Sequence, residues 1–528
     1  MQNYFRNQLL KSPCGPKWKR LGLKDHHGFV LMLSSLHSEK GMEIGEFLDL
    51  IPLLDWCNEV GFDFIQLLPV NDSGFDNSPY NPVSILALNP VYLSLYALPF
   101  VNKDEELLKL LKKKKTQKLP TFVQYNKMRS KKFDFLRIYY DKYAEQIKKT
   151  KNYKSFIQNN NWVFDYGLFC ALAAVHESDK WSTWPEPSKT PTKAQKKQLL
   201  KKHKDEAEFY ILIQYFCFEQ LSTVHKLAKQ KKVFLFGDLP FLVSRESCDC
   251  WSSPDLFLID YSVGSPPDNL TPDGQNWNFP AYNWKMLAKT DYAWWKERLK
   301  VSENFYDIYR LDHIIGFFRT WNIPRGKEGK DGAYCPQDAT LWLDNGYQFL
   351  LTLIQSSNMM PIGEDLVIPQ TIKDVIRELG ICGTNILTWQ RTGAGGADFV
   401  PYPLYVSATI THIASHDTAT LNQWWINYPK VAKAFCLWKN WEYTKTLSDK
   451  MRFEILYDSH HTSSLFHANL LQEYLALFPE MVHKEYNKER INYPGTASGK
   501  NWRYRIIPSV EEIINSRKLR EVFKKLTH

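Results

Sequence analysis

Seven short runs of apolar, β-branched or aromatic residues recur along the chain, and several of them carry an acidic residue at or near their end. They cover residues 29–36, 62–70, 233–240, 306–312, 359–365, 384–389 and 408–417. Runs of this length and composition are typical of strands buried on both faces of a sheet. Helical patterns follow several of them, for example at residues 43–60, 341–355 and 370–379. Strands that alternate with helices predict a parallel sheet.

The number of strand candidates favours a barrel over an open sheet. The chain has 528 residues, a length that suits one large barrel with insertions. Seven candidates over that length predict an eight-stranded (β/α)8 TIM barrel of the α/β class. We place the eighth strand near residues 490–493, and we interpret residues 1–528 as one barrel domain.

Two long segments between strand candidates predict insertions. Residues 95–232 carry helical patterns rich in lysine, and we interpret them as a mainly helical subdomain inserted between the second and third strands. Residues 248–284 are rich in Pro, Gly, Asp and Asn, which predicts an irregular loop on the face where the strands end. Long loops in compact domains are usually functional, so we expect this loop to border the site.

The net charge of +10 comes mostly from lysine, which is concentrated in runs at residues 112–115 and 193–204. Leucines at helical spacing accompany the runs, which indicates helices with a solvated basic face. A nucleic-acid surface is the alternative interpretation. No binding motif accompanies the charge, so we expect no nucleic-acid partner.

The nine cysteines are scattered, and only Cys248 and Cys250 lie close together in the sequence. This spacing suits neither a zinc site nor a disulfide framework, so we expect a reducing, cytoplasmic compartment. Residues 1–20 lack the apolar core of a signal peptide. The longest apolar run, at residues 168–175, is far too short to span a membrane, so we expect no membrane partner.

Four strand candidates end in acidic residues, which are Asp238, Asp312, Glu364 with Asp365, and Asp417. Barrel enzymes carry their chemistry at the carboxyl ends of the strands. The spacing is regular, with 52 residues from Asp312 to Glu364 and 53 residues from Glu364 to Asp417. Each interval fits one or two β/α units, so we expect these three carboxylates to converge at one mouth of the barrel.

Each acid also has a purely structural interpretation. An Asp after a strand is often a turn former or a helix N-cap, which is the interpretation we favour for Asp365. For Asp238, a structural role and a binding role both stay open. Arg310 lies two positions before Asp312, so strand geometry puts both side chains on one face. Their pairing either holds the carboxylate ionised and oriented for chemistry or is an ordinary buried ion pair.

A set of carboxylates of this kind suits glycosyl transfer with retention of configuration. One carboxylate attacks the anomeric carbon, while a second donates a proton to the leaving oxygen and then acts as a base. In retaining enzymes these two groups lie about 5–5.5 Å apart. A third acid can bind ring hydroxyls and favour the distorted, oxocarbenium-like transition state.

A series of short motifs runs through nearly the whole chain. They are Ser78-Pro79-Tyr80, Asn89-Pro90, Trp184-Pro185, Gly237-Asp238-Leu239-Pro240, Pro266-Pro267-Asp268, Gly274-Gln275-Asn276-Trp277, Arg310-Leu311-Asp312-His313, Gly363-Glu364-Asp365-Leu366, Ser415-His416-Asp417 and Asn492-Tyr493-Pro494-Gly495. In this order they resemble the 4-α-glucanotransferases of glycoside hydrolase family 77, also called amylomaltases or disproportionating enzymes, a branch of the α-amylase superfamily. No single motif is decisive, but the ordered set is very specific.

The resemblance implies roles for the three convergent carboxylates. Asp312 matches the family's nucleophile, which forms a covalent glucosyl-enzyme intermediate. Glu364 matches the general acid/base, and Asp417 matches the stabiliser of the transition state. The family needs neither a metal nor an organic cofactor, so we expect none here.

The resemblance also implies a set of sugar-binding residues. Arg310, Asp238 and His416 match residues that hold the sugar in the donor subsite, and Tyr80 matches an aromatic residue there. Trp277 lies in a loop that covers the glucan groove in this family, so residues 248–284 would lie over the substrate. For Trp277 alone, the sequence equally allows a buried anchor of that loop.

The implied activity is transfer of an α-1,4-glucan segment to the 4-hydroxyl of an acceptor sugar, by a single catalytic domain. A hydrolase with the same site, in which water takes the intermediate, is the first alternative. An inactive glucan-binding protein is the second. Val367 stands where relatives frequently carry Gly, and residues 314–319 and 418–420 also depart from the common bacterial pattern. These departures leave the acceptor open between short maltooligosaccharides and branched glycogen.

Overall fold

The computed structural model of this chain describes residues 2–113, 119–268, 271–392, 398–496 and 498–527. Part of the lysine run at residues 112–115 lies outside these ranges. The second run forms the helix Lys193–Lys202, in which Leu199 is buried while Lys197 and Lys201 are exposed, as predicted. Within the described ranges, no helix combines the length and the apolarity needed to cross a bilayer.

Eight parallel strands form a closed ring. In chain order they are β1 (His26–Leu31), β2 (Phe64–Leu67), β3 (Phe234–Leu239), β4 (Ile308–Leu311), β5 (Met360–Gly363), β6 (Gly383–Ile386), β7 (Thr409–His412) and β8 (Phe466–Leu470). The sheet runs from β6 through β7, β8, β1, β2, β3 and β4 to β5, so that chain neighbours pair. A parallel bridge between Ile362 and Cys382 joins β5 to the residue before β6 and completes the ring. The predicted (β/α)8 barrel is confirmed.

The eighth strand is not at residues 490–493, so that prediction is wrong. It is β8, which pairs in parallel with β1 and β7. The polar residues His467 and Asn469 interrupt its apolar pattern, although both side chains are buried. They can be buried because Ser459 partners both, with its carbonyl to His467 Nδ1 at 3.0 Å and its hydroxyl to Asn469 Nδ2 at 2.9 Å.

Helices surround the barrel and connect its strands. Those outside the predicted insertions are Gln2–Lys11, Gly15–Leu21, Leu50–Glu59, Ala293–Ser302, Trp342–Ser356, Gln370–Leu379, Leu421–Asn427, Pro429–Trp438, Asp449–Ser459, Leu471–Leu475, Val510–Asn515 and Arg517–Leu526. The helix predicted at residues 43–60 begins only at Leu50. Proline is tolerated in the first turn of a helix but breaks its interior, so Pro52 accounts for this late start.

The chain between β2 and β3 is helical in its described part. Its helices are Glu105–Lys113, Tyr125–Lys148, Lys151–Asn159, Trp162–Val175, Lys193–Lys202 and Lys204–Gln230. The last of them, Lys204–Gln230, packs against β3 and against the barrel helix Leu50–Glu59. Its carboxyl end therefore belongs to the barrel wall, whereas the other helices of residues 95–232 extend from it.

Residues 248–284 do not form an irregular loop, which corrects the sequence prediction. They contain the helix Cys248–Ser252 and two long antiparallel strands, Phe257–Ser265 and Gln275–Tyr282, followed by the start of the helix Trp284–Lys289. Strands Thr320–Pro324 and Ala333–Cys335 extend this hairpin to a four-stranded sheet. A separate pair, Arg391–Thr392 and Asp398–Phe399, forms a second small sheet. The Pro and Gly residues are concentrated in the segment that connects the two hairpin strands. The composition therefore predicted the connecting turn correctly, but it did not predict the strands on either side.

Candidate active site

The strands deliver the predicted acids to one end of the barrel. Asp238 is the second-last residue of β3, and Asp312 and Glu364 directly follow β4 and β5. Asp417 lies five residues beyond the end of β7. Since all eight strands are parallel, their carboxyl ends open on the same face, which is where barrel enzymes act. The predicted convergence at one mouth is therefore present.

Two glycines that precede acids allow close packing behind the site. A side chain at Gly237 would meet the ring of Tyr306 at 2.4 Å. At Gly363, which precedes Glu364, a side chain would meet Ile314 Cδ1 at 2.5 Å. The Gly-acid pairs in the sequence therefore arise because the strand must pack tightly at the residue before each carboxylate.

Arg310 is the centre of the site. Its Nη1 atom donates to Asp312 Oδ1 at 2.8 Å and to Asp238 Oδ1 at 2.9 Å, while its Nη2 atom lies 3.6 Å from Glu364 Oε2. One guanidinium thus contacts three carboxylates on three adjacent strands, and its planar shape suits such contacts. Burial lowers the pKa of Arg310, but these carboxylates, Asp238 first, outweigh it and raise the pKa well above its usual value. The predicted contact between Arg310 and Asp312 is confirmed.

Asp238 is fully buried beneath Arg310 and Tyr80. The hydroxyl of Tyr80 donates to Asp238 Oδ2 at 2.5 Å. Burial raises the pKa of Asp238, although Arg310 opposes the shift. The ring of Tyr80 also stacks on His416, with ring centres 5.0 Å apart and planes at 19°. Tyr80 lies in the loop after β2, and it therefore joins this loop to Asp238 on β3 and to His416 after β7.

Asp312 receives a second hydrogen bond, from the backbone of the neighbouring loop. The amide of Phe241 donates to Asp312 Oδ2 at 3.2 Å. Each carboxylate oxygen of Asp312 therefore faces one N–H donor, Arg310 on one side and Phe241 on the other. Hydrogen bonds of this kind stabilise a negative charge and fix its orientation.

Glu364 is held differently. The backbone amide of His313 donates to Glu364 Oε2 at 2.9 Å. Burial, assisted by the nearby charges of Asp312 and Asp417, raises the pKa of Glu364 to about 7, although Arg310 opposes this shift. The Glu364 carboxyl therefore keeps its proton up to near-neutral pH.

Asp417 lies on the opposite side of the mouth and is half exposed. The side-chain amide of Asn492 donates to Asp417 Oδ1 at 2.7 Å, and His416 Nε2 lies 3.3 Å from Asp417 Oδ2. Arg490 Nη2 donates to the carbonyl of Asp417 at 2.8 Å. Desolvation favours a raised pKa for Asp417, but His416 and Asn492 outweigh it and lower the pKa. In return, Asp417 raises the pKa of His416 against the effect of burial.

The acids surround a cavity of about 360 Å³ at the mouth of the barrel. Of the predicted site residues, five line this cavity: Arg310, Asp312, Glu364, His416 and Asp417. Apolar side chains line the same cavity, among them Leu366, Val367 and Trp389. A cavity with a few convergent polar groups and shifted pKa values is the expected form of a ligand site.

Trp277 lies on the hairpin and outside the lining of this cavity. Its ring meets the ring of His313 edge-on, with centres 4.9 Å apart at 89°. It lines a second cavity of about 530 Å³, together with Ser78 and Arg245. Trp277 is partly exposed, so it is not a buried anchor of the loop. It contacts the site through His313, the residue whose amide binds Glu364.

Asp365 does not cap a helix, so of the two structural interpretations the helix N-cap is wrong, while Asp365 does precede a turn at residues 366–367. Its Oδ1 atom accepts a hydrogen bond of 2.7 Å from the backbone amide of Thr384 on β6. The helix Gln370–Leu379 begins after Pro369 instead. Asp365 is buried and joins the end of β5 to β6 at the closure of the barrel, so its role is structural, as favoured from the sequence.

Four residues of the site were not singled out from the sequence. His313 and Phe241 act through backbone amides, for which a side-chain pattern gives no signal. Asn492 and Arg490 lie 75 and 73 residues after Asp417. Asn492, like His313, belongs to one of the motifs that resemble the family, which was its only signal. Among the described residues, no group of three or more His, Cys, Asp or Glu is arranged to hold a metal ion.

Fold and site together define a class of protein, a (β/α)8 barrel enzyme with a carboxylate cluster at the carboxyl ends of its strands. The sequence profile of the family described as 4-alpha-glucanotransferase, glycoside hydrolase family 77, matches residues 31–509. The 4-alpha-glucanotransferase of Chlamydia pneumoniae is 42% identical over 519 residues, covering 98% of each chain. That of Chlamydia trachomatis is 38% identical over 530 residues, covering 99% of this chain and 98% of its own. The chain belongs to the 4-alpha-glucanotransferase family, and it is an enzyme of that kind.

Solved structures agree in fold. The amylomaltase from Streptococcus agalactiae, in complex with acarbose, superposes with a TM-score of 0.82 at 22% identity, over 96% of this chain and 99% of its own. The amylomaltase from Corynebacterium glutamicum gives a TM-score of 0.78 at 20% identity, over 97% of this chain and 76% of its own. These similarities extend over the barrel and its insertions.

Proposed function

We propose that this enzyme transfers a segment of an α-1,4-glucan to the 4-hydroxyl of an acceptor sugar by a retaining double displacement. The observation that carries the proposal is the sharing of Arg310 by Asp312 and Glu364, two carboxyl groups in different environments. Asp312 has a donor on each oxygen, whereas burial raises the pKa of Glu364 to about 7. Groups made different in this way are suited to be nucleophile and acid.

In the first step, an Asp312 oxygen attacks the anomeric carbon of the donor sugar and forms an ester bond to it. The bond from that carbon to the glycosidic oxygen breaks, and the Glu364 carboxyl gives its proton to this oxygen, so the leaving chain departs as an alcohol. Glu364 is left as a carboxylate. Its pKa near 7 lets it be protonated before this step and basic after it.

In the second step, the 4-hydroxyl of the acceptor gives its proton to Glu364 and attacks the anomeric carbon. The ester bond to Asp312 breaks, and the enzyme returns to its first state. Two inversions at one carbon give net retention. A bound acceptor has a large effective concentration over solvent water, which favours transfer over hydrolysis.

The other predicted residues have binding roles in this proposal. Asp417 accepts hydrogen bonds from ring hydroxyls as positive charge develops at the anomeric carbon, since His416 and Asn492 keep it ionised and oriented. His416, Tyr80, Asp238 and Arg310 hold the donor sugar. Trp277 lies along the adjoining groove on the hairpin, where longer glucan chains would pass.

The donors and acceptors we propose are maltooligosaccharides, starch or glycogen, and glucose. Acarbose is bound by the amylomaltase from Streptococcus agalactiae, which has the same fold. We propose no metal, cofactor, nucleic-acid or membrane partner. All nine cysteines are free, which supports a reducing cytoplasmic location.

The test is incubation of the purified enzyme with maltotriose as the single substrate. We expect free glucose together with a ladder of longer chains, while the total number of reducing ends stays constant. Proton NMR of the earliest products should show new α-linkages formed with retention.

The control is the same incubation with Asp312→Asn, which corrects for contaminating activities. Shortening of all products with one new reducing end per cleavage would establish a hydrolase instead. Tight binding of maltotriose without any products would indicate an inactive glucan-binding protein.

A further inference from the structure

Val367 has a backbone conformation that its side chain disfavours. Its φ angle is +51°, in the left-handed region. For a β-branched residue this conformation is a clear outlier, because the branched side chain crowds the backbone. Glycine takes the same conformation without crowding. The fold therefore imposes a strained conformation where relatives frequently carry glycine.

The surrounding protein does not compensate this strain by packing. The side chain of Val367 is 91% exposed, the largest exposed fraction among the large apolar residues of the described chain. Its neighbour Ile368 packs against the hydrophobic core, so the loop is anchored beside it. Strained residues of this kind cluster at ligand contacts, where a bound molecule makes use of them.

Val367 lines the cavity at the mouth of the barrel that Asp312, Glu364 and Asp417 also line. It lines the cavity together with Glu364, Leu366 and Trp389, and Trp389 is itself 49% exposed. Val367 lies three positions after Glu364 in the sequence, so their Cα atoms are at most about 11 Å apart. In the proposed function Glu364 faces the oxygen that joins donor to leaving chain, and later the hydroxyl of the acceptor. A residue on the wall next to Glu364 is therefore within reach of the acceptor.

We infer that Val367 is a specificity-determining residue that contacts the acceptor sugar next to Glu364. The carbon-bound hydrogens of a glucose ring form an apolar face, and an exposed isopropyl group is complementary to that face. Binding covers the side chain that the free enzyme leaves in water, which favours the acceptor through buried apolar area. This inference rests on the proposed function, because it names the residue that selects the second substrate.

The experiment uses the full chain with maltoheptaose as donor and radiolabelled glucose as acceptor. Wild type and Val367→Gly are compared for incorporation of label into oligosaccharide over a range of glucose concentrations. We expect the KM for glucose to rise about tenfold in Val367→Gly, the size of a lost apolar contact, with a smaller effect on kcat. The melting temperature should equal or exceed that of wild type, because glycine relieves the strain.

The matched control is Glu177→Gly, an exposed residue at φ +48° in the helical insertion. It changes the same kind of backbone position away from the cavity, so its KM for glucose should equal that of wild type. An unchanged KM in Val367→Gly, with label incorporated normally by wild type, overturns the inference alone. Absence of label incorporation by wild type overturns the proposed transfer and this inference with it.

Discussion

The side-chain amide of Asn492 lies 2.7 Å from Oδ1 of Asp417, across 75 residues of sequence. The Asp417 side chain is 46% exposed, so the surrounding packing alone does not fix its orientation. Asn492 holds one oxygen and His416 faces the other, at 3.3 Å. Removal of either partner would leave the carboxylate free to rotate away from the substrate.

Asn492→Ala should therefore lower kcat/KM for maltotriose without unfolding the protein. A hydrogen bond to a charged group contributes about 1.5–3 kcal/mol, which corresponds to a decrease of roughly 10- to 100-fold. The control is Asn358→Ala, which removes a similar amide-to-carboxylate bond, to Glu303, on the surface. Equal kcat/KM values for the two variants would contradict a positioning role for Asn492.

Asp312→Asn should abolish turnover, because an amide is not a nucleophile for the anomeric carbon. We expect kcat to fall on the order of 10⁴-fold or more, as for other covalent nucleophiles. Binding of maltotriose, measured by calorimetry, should persist. Asp374→Asn, an exposed residue on the helix Gln370–Leu379, serves as the control. Substantial activity in purified Asp312→Asn would refute its role.

Activity should decrease on the alkaline side of neutrality as Glu364 loses its proton. Burial raises the pKa of Glu364 to about 7, so the protonated fraction falls above that pH. The profile of kcat/KM for maltotriose between pH 5 and 9 should show a descending limb with a midpoint near 7. A profile that stays flat up to pH 9 would exclude Glu364 as the acid.

The same shift gives a stability prediction for Glu364→Gln. A carboxyl group whose folded-state pKa is raised stabilises the fold below its ordinary pKa, and this contribution is lost as pH rises toward 7. Glutamine does not titrate. Relative to wild type, Glu364→Gln should therefore gain unfolding free energy between pH 4.5 and pH 8, as measured by chemical denaturation at both pH values. An equal pH dependence in both proteins would contradict the raised pKa.

Arg310→Lys should be severely impaired although the charge is kept. A lysine has one ammonium group and cannot reach Asp238, Asp312 and Glu364 from two separate nitrogens. Misplacement of the carboxylates should lower kcat/KM by about 100-fold. Arg517→Lys, at an exposed pair with Glu521, is the matched control. An activity near that of wild type would show that charge alone suffices at position 310.

Acid should destabilise the fold through histidines at the opposite end of the barrel. His27 Nδ1 and His460 Nδ1 lie 3.0 Å apart, so one must donate and the other accept, and His467 stacks on His27. Burial lowers the pKa of His27 to about 3 and that of His467 to about 4. Because these pKa values are lowered in the folded state, the contribution of the two histidines to the free energy of unfolding is complete above about pH 6.5 and is lost as pH falls.

At pH 5.5, one unit below the ordinary pKa, each such histidine should destabilise by about 1.4 kcal/mol. Urea denaturation at pH 7 and pH 5.5 measures the loss. His467→Gln should show a smaller loss between the two pH values than wild type, whatever its absolute stability. An equal loss in the two proteins would contradict this assignment.

Local patterns in the sequence were sufficient for much of the fold and for the centre of the site. Seven strands were predicted because runs of apolar residues report burial directly. Arg310 and Asp312 were placed on one face by the period of a strand, and the structure gives their contact at 2.8 Å. The roles of Asp312, Glu364 and Asp417 came from the family resemblance, since spacing alone distinguishes neither nucleophile from acid nor transfer from hydrolysis.

Only the tertiary structure decided the features that depend on distant partners. The strand β8 escaped prediction because it carries the polar residues His467 and Asn469, and local hydropathy does not register that Ser459 partners His467 Nδ1 and Asn469 Nδ2. The single guanidinium of Arg310 reaches three acids because β3, β4 and β5 are neighbours in the sheet. The contact of Asn492 with Asp417 depends on how two distant loops pack at the mouth of the barrel. A linear pattern determines which face of a strand a side chain takes, but the pairing of strands and the packing of their loops determine which side chains meet there.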